Sequence, residues 1–138
     1  VKNQMIGCIH AGWRGAFSGI IENTIKKFKR NHKIFASVGP CIGKKNYEVD
    51  LNFYRKFIMK SKSNINYFSN KNRTKKFFDL RKYVCKKLLS KNVKIDNIKF
   101  DTYKEKNKFF SYRRSQILGE NDYGRCISVI GMTKFSQN

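Results

Sequence analysis

The chain has 138 residues, of which 40% are hydrophobic and 14% aromatic, enough for one packed domain. It has a single proline and nine glycines, which excludes collagen-like and fully disordered chains. The sequence has no run of about 18 apolar residues that would span a membrane. It also has no recognisable secretory signal, so we expect a cytoplasmic protein.

The charge is strongly basic, with 31 Lys and Arg against 9 Asp and Glu, a formal balance of +22. Such a balance favours nucleic acid or another anionic surface as a partner. However, lysine greatly outnumbers arginine and is spread along the whole chain, whereas base readout favours arginine. We therefore expect compositional drift rather than a selected nucleic-acid surface, and nucleic acid stays the less favoured partner.

Apolar runs and helical spacing alternate along the chain. Strands are predicted at 5–9, 34–38, 93–102 and 126–130, and an extended aromatic segment at 109–114. Helices are predicted from Gly15 to near Asn31, after an Asp50 cap and after an Asp79 cap. Residues 60–76 are predicted to be a mobile surface loop, and 119–124 a turn. Together these elements predict an α+β fold, a mixed β-sheet with helices packed on one face.

The densest cluster of reactive side chains is His10-Ala11-Gly12-Trp13-Arg14-Gly15, where a predicted strand ends and a helix begins. Ligands commonly bind at such strand ends. The His10 imidazole suits metal binding or proton transfer near neutral pH. Arg14 suits an anion such as phosphate. A structural histidine beside a surface arginine is the alternative interpretation.

A second cluster is Gly39-Pro40-Cys41-Ile42-Gly43, followed by Tyr47-Glu48-Val49. Cys41 would act as a nucleophile or ligand only if its thiolate were stabilised. A dyad with His10 would require the two side chains to meet in the fold. A structural turn at Gly39-Pro40 is the simpler interpretation. The other three cysteines lie in apolar runs and are predicted to be free thiols: Cys8, Cys85 and Cys126.

The third cluster is Phe109-Phe110-Ser111-Tyr112-Arg113-Arg114. Aromatic rings beside paired arginines suit a surface that stacks bases and holds phosphate. They suit an ordinary strand with a solvated end equally well.

In this order, the motifs HAGWRG, GPCIG, FDL at 78–80 and FFSYRR resemble the bacterial laccase-domain family, also called multicopper polyphenol oxidase or YfiH-like. The resemblance runs from about residue 6 to residue 130. It implies that residues 1–138 are one laccase-like domain, the C-terminal portion of the family fold, lacking the N-terminal part.

The resemblance implies a zinc-dependent purine nucleoside phosphorylase for adenosine, inosine and methylthioadenosine that also deaminates adenosine. The older family name leaves copper as the alternative metal. His10 matches one metal ligand of the family, whereas a His and a Cys that complete the set lie upstream of HAGWRG, so the site is expected to be incomplete in this chain. Cys8 does not match that cysteine position, although residues two apart on a strand share a face.

Phosphorolysis requires cations that hold phosphate. Arg14 is the first candidate, with Arg113 and then Arg114 as weaker ones. Asp101-Thr102 stands where family members commonly have Cys-Thr. Two other classes of function remain as alternatives: a basic nucleic-acid-binding module, and a structural remnant without activity.

Overall fold

A computed structural model describes residues 5–28 and 33–132. Five helices and five strands lie within those ranges. The helices are α1 (Trp13–Ser18), α2 (Ile20–Ile25), α3 (Leu51–Lys60), α4 (Leu80–Leu89) and α5 (Tyr112–Leu118). The strands are β1 (Phe35–Val38), β2 (Glu48–Asp50), β3 (Phe68–Asn70), β4 (Lys75–Phe78) and β5 (Lys94–Asn97). None of the helices in those two ranges is both long and apolar enough to cross a bilayer.

The strands form two small sheets. β1 and β5 pair in parallel, with Phe35 opposite Lys94 and Val38 opposite Asn97. β4 lies between β2 and β3 and is antiparallel to both. Parallel and antiparallel pairs therefore occur together with helices, and the predicted α+β class is confirmed.

Local capping signals set the starts of the two longest helices. The Asp50 carboxylate accepts a hydrogen bond from the backbone N–H of Phe53 at 2.7 Å, and α3 begins directly after it. The Asp79 carboxylate accepts from the N–H of Lys82 at 2.9 Å at the start of α4. Both predicted caps are confirmed.

The core is built around aromatic rings. Phe57 of α3 and Phe78 of β4 are fully buried, and their ring centroids lie 4.9 Å apart. Phe57 also packs 4.7 Å from Phe17 of α1 and 4.8 Å from Phe53. Because these rings come from different parts of the sequence, they join α1, α3 and the antiparallel sheet into one core.

The structure differs from the prediction at the first helix and at the segment 109–114. The predicted helix after Gly15 is two short helices, because Gly19 adopts a left-handed conformation with φ of 94° and ends α1. Its predicted end near Asn31 lies outside the described residues, as does His32. The predicted extended segment at 109–114 instead contains the start of α5, where buried Ser111 caps the N–H of Arg114 at 3.4 Å.

The predicted loop at 60–76 is also wrong, because it holds a 3-10 helix at Lys62–Tyr67 and the β3–β4 hairpin. Its many lysines and asparagines lie around partly buried Tyr67 and Phe68, which pack on the core. The buried Asn64 donates a hydrogen bond from its side chain to the Phe57 carbonyl at 2.8 Å and so fastens this segment to α3.

The predicted strands at 5–9 and 126–130 do not form. Both segments lack regular secondary structure and every residue in them is exposed. A strand needs a hydrogen-bonding partner, and the described part of the chain offers them none beyond a contact from the Cys8 thiol to the Ser128 carbonyl at 3.6 Å.

Candidate functional site

His10 ends the exposed segment that leads into α1. Its ring folds back over Gly12, where an added Cβ would lie only 2.9 Å from Nε2 of the imidazole. Glycine at position 12 therefore allows the imidazole to rest against the helix start. The ring stays exposed to solvent. His10 is therefore not part of the buried core.

Trp13 and Arg14 form the outer surface of the same motif. Trp13 is half-buried and packs against Phe53 with 4.7 Å between ring centroids. The exposed Arg14 guanidinium lies 5.4 Å from the Trp13 ring, and the Lys56 ammonium lies 5.5 Å from it. The motif thus presents an aromatic surface with two cations over it.

Arg113 is distant from Trp13 in sequence but lies close to the aromatic rings that pack beside Trp13. Its guanidinium donates to the Glu48 carbonyl at 2.9 Å and lies 5.6 Å from the Tyr47 ring. Tyr47 in turn lies 6.4 Å from Phe53. The row Trp13–Phe53–Tyr47, called here the aromatic row, joins all three sequence clusters in space, with Arg14 beside its first ring and Arg113 beside its last.

Tyr47 keeps its proton in this environment. Burial raises the pKa of Tyr47 to about 12, although the neighbouring Arg113 opposes that rise. At neutral pH the phenol therefore remains a neutral hydroxyl group within the aromatic row.

Cys41 is a poor nucleophile where it lies. Burial raises the pKa of its thiol to about 11, although Arg81 opposes the rise. Its backbone forms an isolated parallel bridge with Asp101, outside the β1–β5 pair. The structural interpretation of the Gly39-Pro40 turn is therefore the better supported one.

Sequence reasoning missed the part that Asp101 plays. One carboxylate oxygen accepts from Nδ2 of Asn46 at 2.7 Å and the other from the N–H of Tyr103 at 2.9 Å. Burial raises the pKa of Asp101, but these bonds and one from the Gly43 N–H outweigh it and hold the pKa below its ordinary value. The available signal was that Asp101 stands where the resemblance implies a cysteine.

Two further arginines stabilise loops through backbone carbonyls. Arg114 donates to the carbonyls of Thr102 and Tyr103, both at 2.9 Å, and to that of Phe109 at 2.5 Å. Arg81 donates to the carbonyls of Ile98 at 2.5 Å and Phe100 at 2.8 Å. Because the Arg114 guanidinium already donates to three backbone carbonyls, Arg114 is less suited to holding phosphate than Arg14 or Arg113.

A metal ion would need more ligands than His10 alone. A catalytic zinc ion takes three protein ligands and keeps one open position. Across residues 5–28 and 33–132, no three His, Cys, Asp or Glu side chains are arranged to hold a metal ion. Cys8, the nearest thiol in sequence to His10, donates instead to the Ser128 carbonyl at 3.6 Å. By themselves, the described residues do not fit a catalytic metal site.

Comparison with known proteins gives one family. The family described as multi-copper polyphenol oxidoreductase laccase matches residues 1–133. A Rickettsia prowazekii protein named purine nucleoside phosphorylase is 39% identical over 116 residues, covering 81% of this chain and 48% of the relative. A Rickettsia conorii protein of the same name is 37% identical over 133 residues, covering 94% and 55%.

A solved structure and a third relative agree with this. The crystal structure of the Neisseria meningitidis protein NMB0706 superposes with a TM-score of 0.68 at 29% identity, covering 76% of this chain and 44% of that one. A Haemophilus influenzae protein named purine nucleoside phosphorylase is 33% identical, and the match covers 91% of this chain and 51% of the relative. The chain thus spans about half the length of the relatives it matches.

Proposed function

Because this chain belongs to the multi-copper polyphenol oxidoreductase laccase family, we propose that it forms the C-terminal portion of a purine nucleoside phosphorylase. The proposed substrates are inorganic phosphate and adenosine, inosine or methylthioadenosine. The relatives named purine nucleoside phosphorylase support the reaction class. The observation that carries the proposal is the aromatic row, which has an arginine beside each end.

The proposed reaction exchanges one bond for another at the sugar. A phosphate oxygen attacks C1′ of the ribose, the bond from C1′ to the base nitrogen breaks, and the base takes the electron pair and then a proton. Negative charge is present on the phosphate and develops on the departing base. Cations held in place before the reaction stabilise both.

Arg14 is proposed to hold the phosphate. Its side chain is exposed, and its contact is with the face of Trp13 rather than with a carboxylate. Arg113 is proposed to stabilise charge at the other end of the row, where the Glu48 carbonyl orients it. The Trp13 ring offers a flat surface on which a purine can stack.

A metal is proposed for the complete protein, zinc in preference to copper. His10 would supply one ligand. The other two would correspond to the His and Cys that the resemblance implies upstream of HAGWRG; residues 1–9 of this sequence contain no His, and Cys8 does not match that cysteine position. Adenosine deamination is part of the same proposal for the complete protein.

The test is phosphate-dependent release of hypoxanthine from inosine. It uses this chain alone and the chain co-expressed with the part of the R. prowazekii relative that it does not match. Arg14→Ala is expected to raise the KM for phosphate about tenfold or more. The matched control is Arg55→Ala, an exposed arginine of α3 whose side chain contacts Asn52 at 3.2 Å. Equal effects of the two substitutions would remove Arg14 from the proposal, and no phosphate-dependent turnover in either preparation would refute the function.

A further inference from the structure

Two segments of the chain expose an unusual amount of apolar surface. Every residue from 5 to 10 and from 125 to 132 is exposed. Ile127 is 88% exposed and Val129 is 82% exposed. Five more large apolar side chains are exposed beside them: Met5, Ile6, Ile9, Ile130 and Met132. The Cys8 thiol contacts the Ser128 carbonyl at 3.6 Å, so the two segments meet at this point. We call them together the open face.

The sequence of the open face is typical of buried residues, although these residues are exposed. Residues 126–130 are an almost uninterrupted apolar run, the pattern of a strand buried on both sides. Apolar surface of this extent on a protein usually marks an interaction site.

The backbone of the open face also has no pairing partner among the described residues. Within the part of the chain that the structure describes, no backbone-to-backbone hydrogen bond involves residues 5–10 or 125–132. Two apolar segments without such hydrogen bonds are suited to receive further strands.

The parallel sheet also has edges at which further strands could pair. β1 and β5 form a pair with no third strand among the described residues, so each has an open edge. Parallel sheets are normally larger and covered on both faces, yet Phe35 of β1 is 71% exposed. The fold therefore has open strand edges as well as an uncovered apolar face.

The lengths of the relatives indicate what covers this face. The matches take in 81% and 94% of this chain but only 48% and 55% of the two Rickettsia proteins. Those relatives therefore carry about as much polypeptide again with no counterpart in this sequence. We infer that the open face is the docking surface for a polypeptide equivalent to that unmatched part, which adds strands to residues 5–10 and 125–132. The inference rests on the proposed function in one respect: both take the Rickettsia relatives as the model of the complete protein.

The test is co-expression of the 138-residue chain with the unmatched part of the R. prowazekii relative, carrying an affinity tag. We expect the two to co-purify in a 1:1 ratio by light scattering. Hydrogen exchange at residues 5–10 and 125–132 should slow at least tenfold in the pair relative to the chain alone. A double substitution, Ile127→Lys with Val129→Lys, should weaken association at least tenfold.

The control is Met59→Lys, because Met59 is 87% exposed on α3 and lies outside the open face. It should leave association unchanged. Two results would overturn the inference: a stable dimer of this chain alone that protects the same segments, or no association with their exchange unchanged. A 1:1 pair without phosphorolysis would refute the proposed function and leave the docking surface supported. Phosphorolysis without any association of the two polypeptides would support the proposed function and overturn the docking surface.

Discussion

Replacing Asp101 with alanine tests whether one carboxylate fastens the loop at 39–46 to the loop that follows β5. The carboxylate accepts from Asn46 at 2.7 Å and from the N–H of Tyr103 at 2.9 Å, with a further bond from the Gly43 N–H. A hydrogen bond to a charged group contributes about 1.5–3 kcal/mol. Asp101 is only half-buried, so water compensates for part of the lost hydrogen bonding. We therefore expect the free energy of unfolding to fall by about 2–3 kcal/mol in total.

The loss is measured by urea unfolding at pH 7 and by thermal melting. A change of this size should lower the Tm by about 10 °C in a domain of this length. The matched control is Asp96→Ala. The Asp96 carboxylate is exposed and accepts from the adjacent Asn97 N–H at 2.7 Å, so its loss should cost less than about 0.5 kcal/mol.

The effect should also depend on pH with a definite sign. The pKa of Asp101 is lower in the folded protein than its ordinary value of 3.8. Its contribution is therefore complete above that value and is lost as the pH falls through the lower folded pKa. Wild type and Asp101→Ala should converge in acid. Equal losses for Asp101→Ala and Asp96→Ala at pH 7, or a difference that persists unchanged in acid, would refute this account of the loop.

Three further predictions follow from the core, a helix cap and a thiol. Phe57→Ala should lower the free energy of unfolding by about 3–5 kcal/mol, because it removes a fully buried ring, and denaturant unfolding measures it. Ser111→Ala should cost about 1 kcal/mol by the same assay, because it removes the cap of α5; a change indistinguishable from zero would contradict that role. Alkylation of Cys41 should be slow at pH 8 and accelerate toward pH 11, whereas the exposed Cys8 reacts first in a mass-spectrometric time course.

The features that the sequence predicted well are those encoded locally. Asp50 and Asp79 each stand immediately before an amphipathic run, and a cap acts within one helical turn. The start of α5 carried the same kind of signal, with Ser111 at the cap and Gly119 in the left-handed conformation at the end. The aromatic residues that precede Ser111 favoured a strand and obscured it.

Strands were predicted less well because pairing is not local. The apolar run at 126–130 indicates that a segment is suited to burial, but it does not identify the segment that would pair with it. The opposite error occurred at 60–76, where lysine and asparagine obscured a hairpin. The pairs Tyr67-Phe68 and Phe77-Phe78 were the available signal, since Phe68 and Phe78 pack 4.9 Å apart across β3 and β4.

The candidate site was predicted as three separate motifs, and its assembly was not. Trp13, Tyr47 and Arg113 are far apart in sequence, and no spacing rule relates them. Phe53 of α3 brings them together, and it belongs to none of the three motifs. An aromatic residue in the middle of a helix is usually an ordinary core residue. Only the tertiary packing shows that Phe53 joins the three motifs.

His10 connects the two proposals. It is the last residue of the exposed segment 5–10 and the first residue of HAGWRG. If a partner polypeptide both covers the open face and supplies the other two metal ligands, metal binding and association must be linked, and each strengthens the other by the same factor. Zinc should then tighten the 1:1 pair, and a chelator should weaken it. His10→Ala should abolish that zinc dependence. If zinc does not change the association of the wild-type pair, His10 is not a metal ligand of that pair. This result would leave the docking surface itself unaffected.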